Sequence, residues 1–427
     1  MRTSDHAVVI GASMAGLLAA RALTDVYDRV TLIERDALPA VGESRRAVPQ
    51  GRHIHALLPR GQEVLEELLP GITGELVQDG AHLYDAMSEM YFAVAGHPLA
   101  RISMGRDTVL ASRPLIEGHV RRRVRALPGV RIRERCDAVG LAVAAGRVTG
   151  VRVLPRADGS AEELLEADLV VAASGRAARL PAWLEGLGYP RPREQRLPID
   201  LLYASRALRL SPGAIGPDKL VLIGARPGLP RTLALAAQEQ GRWILTLAGY
   251  RGHHPPTDDD GFLRFAATVA PPDVFAAIRE AEPLDAVVTH AFPANVRRHY
   301  ENLPAGLLPI GDAVCSFNPL YGMGMATAVL EAAALRRCLD RPDRYLAAIR
   351  PIVDHAWELA VAGDLALPEV EGPRPARVRV VNAYIGRLQA AAETDPVVAR
   401  AFLEVVAMFR RPQSLLRPSI ARRVVIA

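Results

Sequence analysis

Residues 8–20 read "VVIGASMAGLLAA". Apolar residues, a glycine turn and a run of small side chains outline a strand that turns tightly into a helix. "RVTLIE" (29–34) follows, so strand, turn, helix and strand fit within the first thirty-four residues, and the strands of such a unit run parallel. In the spacing G-x-G-x-x-G the first glycine permits the tight turn. The second lets the backbone approach a pyrophosphate, and the third lets the helix pack on the strand. Gly11 and Gly16 fill the first and third places. Ser13 stands at the second, where a small hydroxyl can itself donate to a phosphate oxygen. The N-terminal end of the helix turns its bare amides toward such an anion. Glu34 ends the second strand, where an acidic side chain accepts from a ribose hydroxyl. An ordinary strand–helix turn explains the two glycines but leaves Glu34 without a reason, so nucleotide binding is the better reading.

The length of 427 residues suggests two or three domains. Half the residues are hydrophobic, yet no unbroken apolar stretch is long enough to span a membrane. Asp5, Gly11, Ser13 and Gly16 interrupt the apolar start, which argues against a signal peptide and for a cytoplasmic protein. Cys136, Cys315 and Cys338 are far apart, so neither a disulfide framework nor a metal site is expected. The net charge of +5 is carried by arginine, and Lys219 is the lone lysine. "RRRVR" (121–125) and "ARRVV" (421–425) alternate with apolar residues as solvated helix faces do. Without aromatic interleaving they do not indicate nucleic acid, whereas guanidinium groups suit the phosphates of a dinucleotide.

Residues 61–69 and 114–127 read as helices, and 130–154 with "EADLVVAASG" (166–175) as short strands. From 186 to 290 strand-like runs alternate with proline and glycine turns, as an antiparallel sheet requires, around a helical pair at 261–281. A helix is expected at 324–339. Most of 341–427 is helical, with a hinge at "LPEVEGPRPARV" (367–378). The expected class is α/β: a Rossmann-like domain assembled from 1–80, 106–185 and 288–340, an antiparallel substrate-binding sheet from 81–105 and 186–287, and a helical C-terminal segment, 341–427.

A second constellation is "LLPIGDAVCSFNPLYGMGMATAVLEAAAL" (307–335). A short strand ends in Gly311-Asp312, and a loop with Pro319 leads to Gly322 and Gly324 at the start of a helix. Asp312 can bind a sugar-alcohol hydroxyl, and the glycines leave helix-terminal amides bare. A plain strand–turn–helix accounts for Gly324 but not for the gathering of Asp312, Pro319 and Gly322.

Together the two stretches resemble the flavoprotein monooxygenases of the para-hydroxybenzoate hydroxylase type. The resemblance implies FAD, with Gly11, Ser13, Met14, Ala15, Glu34 and Arg35 on its ADP half and Asp312 on its ribityl chain. Gly324 and Met325 would lie beside the pyrimidine edge of the flavin, and the loop carrying Pro319, Gly322 and Gly324 would face the ring. Arg113 in "ASRPLIEGHV" matches an arginine of the family. Where the family carries Asp-Gly after an apolar strand, this chain has Ser174-Gly175-Arg176, a departure at a motif tied to NADPH or NADH contact. The runs "RRAVPQGRHIHALLPRGQEVLEELLPG" (45–71), "AVCSFNPLYGMGM" (313–325) and "HAWELAVAGDLALPEVEG" (355–372) narrow the likeness to the flavin epoxidases of polyether biosynthesis. That likeness adds Arg46 and Gln50 as flavin contacts. His53 and His55 are weaker candidates, since a histidine at an apolar helix start more often serves structure.

The function implied is insertion of one oxygen atom from O2 through a flavin C4a-hydroperoxide, into an alkene of a polyketide-like metabolite. The electrons would come from NADPH or NADH, or from a separate flavin reductase. No acid–base constellation is evident, and an isolated alkene needs none. The substrate would be a small apolar polyene or polyketide, in a pocket lined by Met87, Met90, Tyr91, Phe92, Leu202 and Tyr203. Aromatic or aliphatic hydroxylation and reduction of isoprenoid double bonds are the alternatives. A halogenase needs a lysine between its two sites, and only Lys219, in a loop, is on offer. A non-catalytic scaffold would have lost Asp312, Pro319, Gly322 and Gly324, which are all present.

Overall fold

The computed structural model describes residues 4–426 except 46, 47, 87 and 178. Arg46 and Met87 therefore lie outside the described residues. Five parallel strands make the first sheet: β1 (Ser4–Ile10), β2 (Tyr27–Ile33), β3 (Val130–Arg133), β4 (Leu169–Ala172) and β5 (Leu307–Pro309), in the order β5-β4-β1-β2-β3. β1 and β4 lie inside the sheet, and Ala7–Ile10 of β1 and the whole of β4 are unbroken buried apolar runs, the pattern of strands covered on both faces. Between β1 and β2 runs the helix α1 (Met14–Leu23), which packs against α2 (Arg113–Arg125) and α3 (Met323–Arg337). It is apolar nearly all round because it is covered nearly all round. Leu17, Leu18 and Leu23 are fully buried there, worth about 1.5–3 kcal/mol each.

A nine-stranded sheet forms the second layer, with the long strands Arg193–Arg209 and Val288–His299 paired along most of their length. Two features differ from the sequence reading. Val288–His299 belongs to this sheet, not to the nucleotide-binding part, whose polypeptide resumes only near β5. The sheet is also not wholly antiparallel, because Leu220–Ile223 runs parallel to Met90–Val94, a strand from far earlier in the chain. The helices Asp259–Ala267 and Pro272–Glu280 cover one face. Strand alternation sends Val221 and Leu235 to those helices and Leu220, Leu222 and Thr232 to a cavity on the other face.

The remaining chain is helical: α4 (Tyr345–Leu365) lies on α3, and α5 (Ala376–Ala391), α6 (Pro396–Val406) and α7 (Pro418–Ile426) pack together beyond the hinge. No helix among the described residues is long and apolar enough to cross a membrane.

Candidate cofactor and active site

Gly11 has φ +103°, a conformation that L side chains avoid, and a Cβ built there would meet the Ala173 carbonyl oxygen at 2.6 Å. At Gly16 the added carbon would lie 1.9 Å from the Gly11 carbonyl oxygen. Both glycines are thus required by close backbone packing, as the first and third places of the fingerprint demand. The turn runs into α1, whose N-terminus has no side-chain cap and no acidic residue in its first turn. Its amides are left for an external anion.

Ser13 does not stand free for a phosphate. Its hydroxyl donates to Glu117 Oε2 (2.8 Å) and accepts from Arg113 Nη2 (2.9 Å). Glu34 accepts from the amides of Ala12 and Asp36, each at 3.0 Å, so it braces the glycine turn. Arg45 bridges the two carboxylates, with Nη1 2.9 Å from Glu34 and Nη2 3.1 Å from Glu117. Nη2 also donates to the Ala12 carbonyl. Burial pushes the Glu117 carboxyl up, but Arg113, Arg45 and the Ser13 hydroxyl outweigh it and hold it below its ordinary value. Removing one member of so buried a set would strand a charge, at a cost of about 3–5 kcal/mol. Sequence reasoning chose Arg46 and missed its neighbour Arg45, whose Nε is buried without a partner among the described residues.

At the other motif Gly311 has φ +66° and lies against Ala15 of α1, so the two distant motifs meet. Asp312 lies deep in the protein yet opens onto the cavity, with no hydrogen bond to its carboxylate among the described residues. Burial raises its pKa against the pull of Arg113, Arg176 and Arg298. Beneath it, fully buried Glu331 of α3 accepts from the Gly311 amide at 2.6 Å, and its Oε1 has no partner among the described residues. Burial pushes this carboxyl up to about 8. The αL residue Gly322 opens α3, whose first turn carries neither a side-chain cap nor an acid.

The loop between these features is held by a group that sequence reasoning missed. Asp364, fully buried at the end of α4, accepts through Oδ1 from Tyr250 (2.9 Å), Tyr321 (3.1 Å) and Asn318 Nδ2 (2.8 Å). Its Oδ2 accepts from Asn295 Nδ2 at 2.6 Å. Asn295 Oδ1 in turn accepts from the Asn318 amide (2.6 Å), and Tyr203 donates to Asn318 Oδ1 (2.9 Å). This network ties the loop 318–321 to the large sheet and to α4.

One cavity of about 2110 Å³ runs through all these parts, whereas a pocket for a single drug-sized ligand takes about 300–1,000 Å³. Gly11, Ser13, Met14, Ala15, Glu34, Arg35, Gln50, Arg113, Asp312, Pro319, Gly322, Gly324 and Met325 all line it. Of the expected substrate-facing residues, Met90, Phe92 and Tyr203 line it too. Tyr91 packs toward the helical pair, and Leu202 lies off the wall. Lys219 pairs with Glu89 and is not on the wall.

His53 and His55 follow a short 3-10 turn, Pro49–Arg52, and do not open a helix. His53 Nδ1 bonds the Ser205 hydroxyl (2.7 Å), and burial, with His290 and Arg52 nearby, brings its pKa down to about 4. His55 Nδ1 lies 3.1 Å from the His53 carbonyl, which can only accept. Nδ1 therefore carries the proton and Nε2 keeps its lone pair. Burial, first, and the Arg113 charge bring His55 to about 3. His290, also lowered by burial, completes a trio of neutral imidazoles at the cavity.

The residues present fit FAD: two uncapped helix ends, a glycine turn too close-packed for any other residue, an acidic residue after β2 and an open aspartate share one cavity. Among known proteins, no family model matches the sequence. Protein Rv3254 of Mycobacterium tuberculosis is 37% identical over 420 residues, covering 93% of this chain and 88% of the relative. Kynurenine 3-monooxygenase of Salinispora arenicola is 28% identical over 390 residues, covering 84% and 80%. Among solved structures, the flavin-dependent brominase Bmp2 superposes with a TM-score of 0.70 at 14% identity, covering 99% of this chain and 98% of that one. The p-nitrophenol 4-monooxygenase PnpA of Pseudomonas putida superposes with a TM-score of 0.67 at 16% identity, covering 95% and 99%. The chain belongs to the family of protein Rv3254, and its fold is that of the flavin-dependent monooxygenases and halogenases.

Proposed function

We propose that the protein is an FAD-dependent monooxygenase that inserts one atom of O2 into an apolar substrate, by preference epoxidising an alkene of a polyketide-like metabolite. The observation that carries this reading is the single cavity, continuous from the glycine turn past Asp312 to a chamber walled by Leu220, Leu222, Phe292 and Phe402. When bound, FAD supplies the two electrons, taken from NADPH or NADH, that O2 activation needs. One oxygen atom goes to the substrate and the other leaves as water.

The chain's own residues do the rest. The α1 amides and Arg113 would hold the pyrophosphate, and Glu34 and Arg35 the adenosine ribose. Asp312 would accept from the ribityl hydroxyls, and the α3 amides would serve the flavin's polar edge. The loop 318–321, fixed through Asn318 to Asp364, holds the wall between cofactor and substrate. The apolar chamber excludes water, which protects the oxygen-transfer step.

A second reading, hydroxylation of a phenol or enol, is favoured by one observation. His55 and His290 are neutral at the cavity wall, and the His55 lone pair is free to take a hydroxyl proton. The fold neighbours include halogenases, but Lys219 lies off the cavity wall, so no lysine serves that chemistry here. The test is a visible spectrum of the purified protein, reduced anaerobically by NADPH and then exposed to air. A flavin band that bleaches, and oxygen uptake that rises with an added polyene, support the reading; a protein that takes up no FAD refutes it.

A further inference from the structure

We infer that the mouth of the cavity docks on an anionic lipid surface, from which an apolar substrate enters directly. The inference takes its purpose from the apolar-substrate reading above, but its evidence is separate.

Residues 374–426 carry ten arginines against three carboxylates (Glu393, Asp395 and Glu404), a net of seven positive charges. The whole chain carries +5, so everything before residue 374 sums to −2. The basic character thus resides in the C-terminal helices. Within them α5 is unusual. Its first buried residue is Leu388, and ahead of it only Tyr384 and Ile385 reach a core, part-buried, so its first two turns pack into none. A helix that short gains little stability alone and is ordinarily held by a buried face. Here Val380 is 69% exposed and Val381 39%, with Arg377 and Arg379 beside them. Among the described residues neither arginine makes an ion pair.

The same stretch rims the cavity. Arg377, Arg379, Val381 and Leu416 line it while being exposed, so the cavity opens to the outside between α5 and the turn Pro412–Leu416. Of the carboxylates nearby, Glu371 pairs with Arg251, while Glu358 stays at the mouth and accepts from Gln413, one negative charge against the arginines there. Unpaired arginines interleaved with exposed aliphatic side chains complement a surface of negative head groups over hydrocarbon. An acidic protein would complement the charge but gives the valines no apolar destination. A substrate crossing from acyl chains into the apolar chamber would never be exposed to water.

The experiment is flotation of the full-length protein with phosphatidylcholine vesicles that do or do not contain phosphatidylglycerol. The protein is expected to float with the anionic vesicles only. R377Q/R379Q should lower its partitioning on the order of 30-fold, and V380S/V381S should lower it by a smaller factor. Helical content and flavin content, measured on the same samples, are expected to be unchanged. Flavin loading thereby reports on the cofactor reading and flotation on the surface. Absence of flotation with anionic vesicles overturns the inference, including the case where an acidic polypeptide or a second copy of the chain binds instead. Flotation that neither variant alters also overturns it.

Discussion

Replacing Asp364 by asparagine tests the polar network, and the geometry fixes what should happen. Three donors converge on Oδ1 and one on Oδ2. An amide can keep its oxygen toward the three, and each of those bonds then loses its charged acceptor, about 1 kcal/mol apiece. Its nitrogen must then face Asn295 Nδ2, donor against donor, at a site where both side chains are fully buried. Asn295 cannot turn over to relieve this, because its Oδ1 is held by the Asn318 amide at 2.6 Å. Set against the smaller cost of burying a neutral group, the net loss is about 3 kcal/mol. Asn295→Asp alone brings two carboxylates together across the 2.6 Å contact and should cost at least as much. The double variant N295D/D364N restores an acceptor opposite every donor with the charge moved one residue along. It should return to within about 1 kcal/mol of the parent, a coupling of about 5 kcal/mol or more. Urea midpoints of the four proteins measure it. If the two single losses simply add, to within about 0.5 kcal/mol, the network as described is wrong.

Other outcomes are equally definite. Gly11→Ala places a carbon 2.6 Å from the Ala173 oxygen at φ +103° and should cost about 2–3 kcal/mol with loss of FAD retention. Gly324→Ala, with no atom within 4 Å of the new carbon, should leave the melting temperature nearly unchanged. Asp312→Ala should keep the circular dichroism spectrum and lose bound flavin, and a fully loaded variant would contradict its role at the ribityl chain. Glu331 titrates near 8 when folded against an ordinary 4.5, so the folded state binds its proton more tightly. Its contribution to stability is complete below about 4.5 and is lost as pH rises through about 8, a change on the order of a few kcal/mol. Glu331→Gln keeps an acceptor for the Gly311 amide and should flatten that pH dependence in denaturation experiments.

How much of this was legible in the sequence depended on how local each cause is. Gly11 and Gly16 were readable because part of their necessity is local: Gly11 turns at φ +103° and Gly16 packs on the Gly11 carbonyl, although the Ala173 oxygen above Gly11 comes from far along the chain. Asp312 and Gly322 were readable because the strand end and helix start carrying them are contiguous. Arg45 was not, since it lies in an irregular stretch where no periodicity says which of two adjacent arginines turns inward. Asp364 looks like any acidic residue near a helix end, and four donors brought from 43 to 114 residues away make it a hub. Val288–His299 was grouped with the nucleotide-binding part because it adjoins the Gly311-Asp312 motif in the chain. Its eleven-pair register with Arg193–Arg209 is a long-range fact that neither strand's own pattern contains.

The strand order β5-β4-β1-β2-β3 also sets a timetable for synthesis. Gly11 and Glu34 leave the ribosome first, but β4 beside β1 comes about 160 residues later and Asp312 about 300 residues later. At 5–20 residues per second the cofactor cradle stays incomplete for about 15–60 s, and its first apolar strand lacks a neighbour on one side for about 8–32 s of that. The cell must shelter that strand during the interval, and FAD can be captured only once about three quarters of the chain has been made. Coexpressed chaperones should therefore raise the yield of folded chain more than flavin supplied in the growth medium.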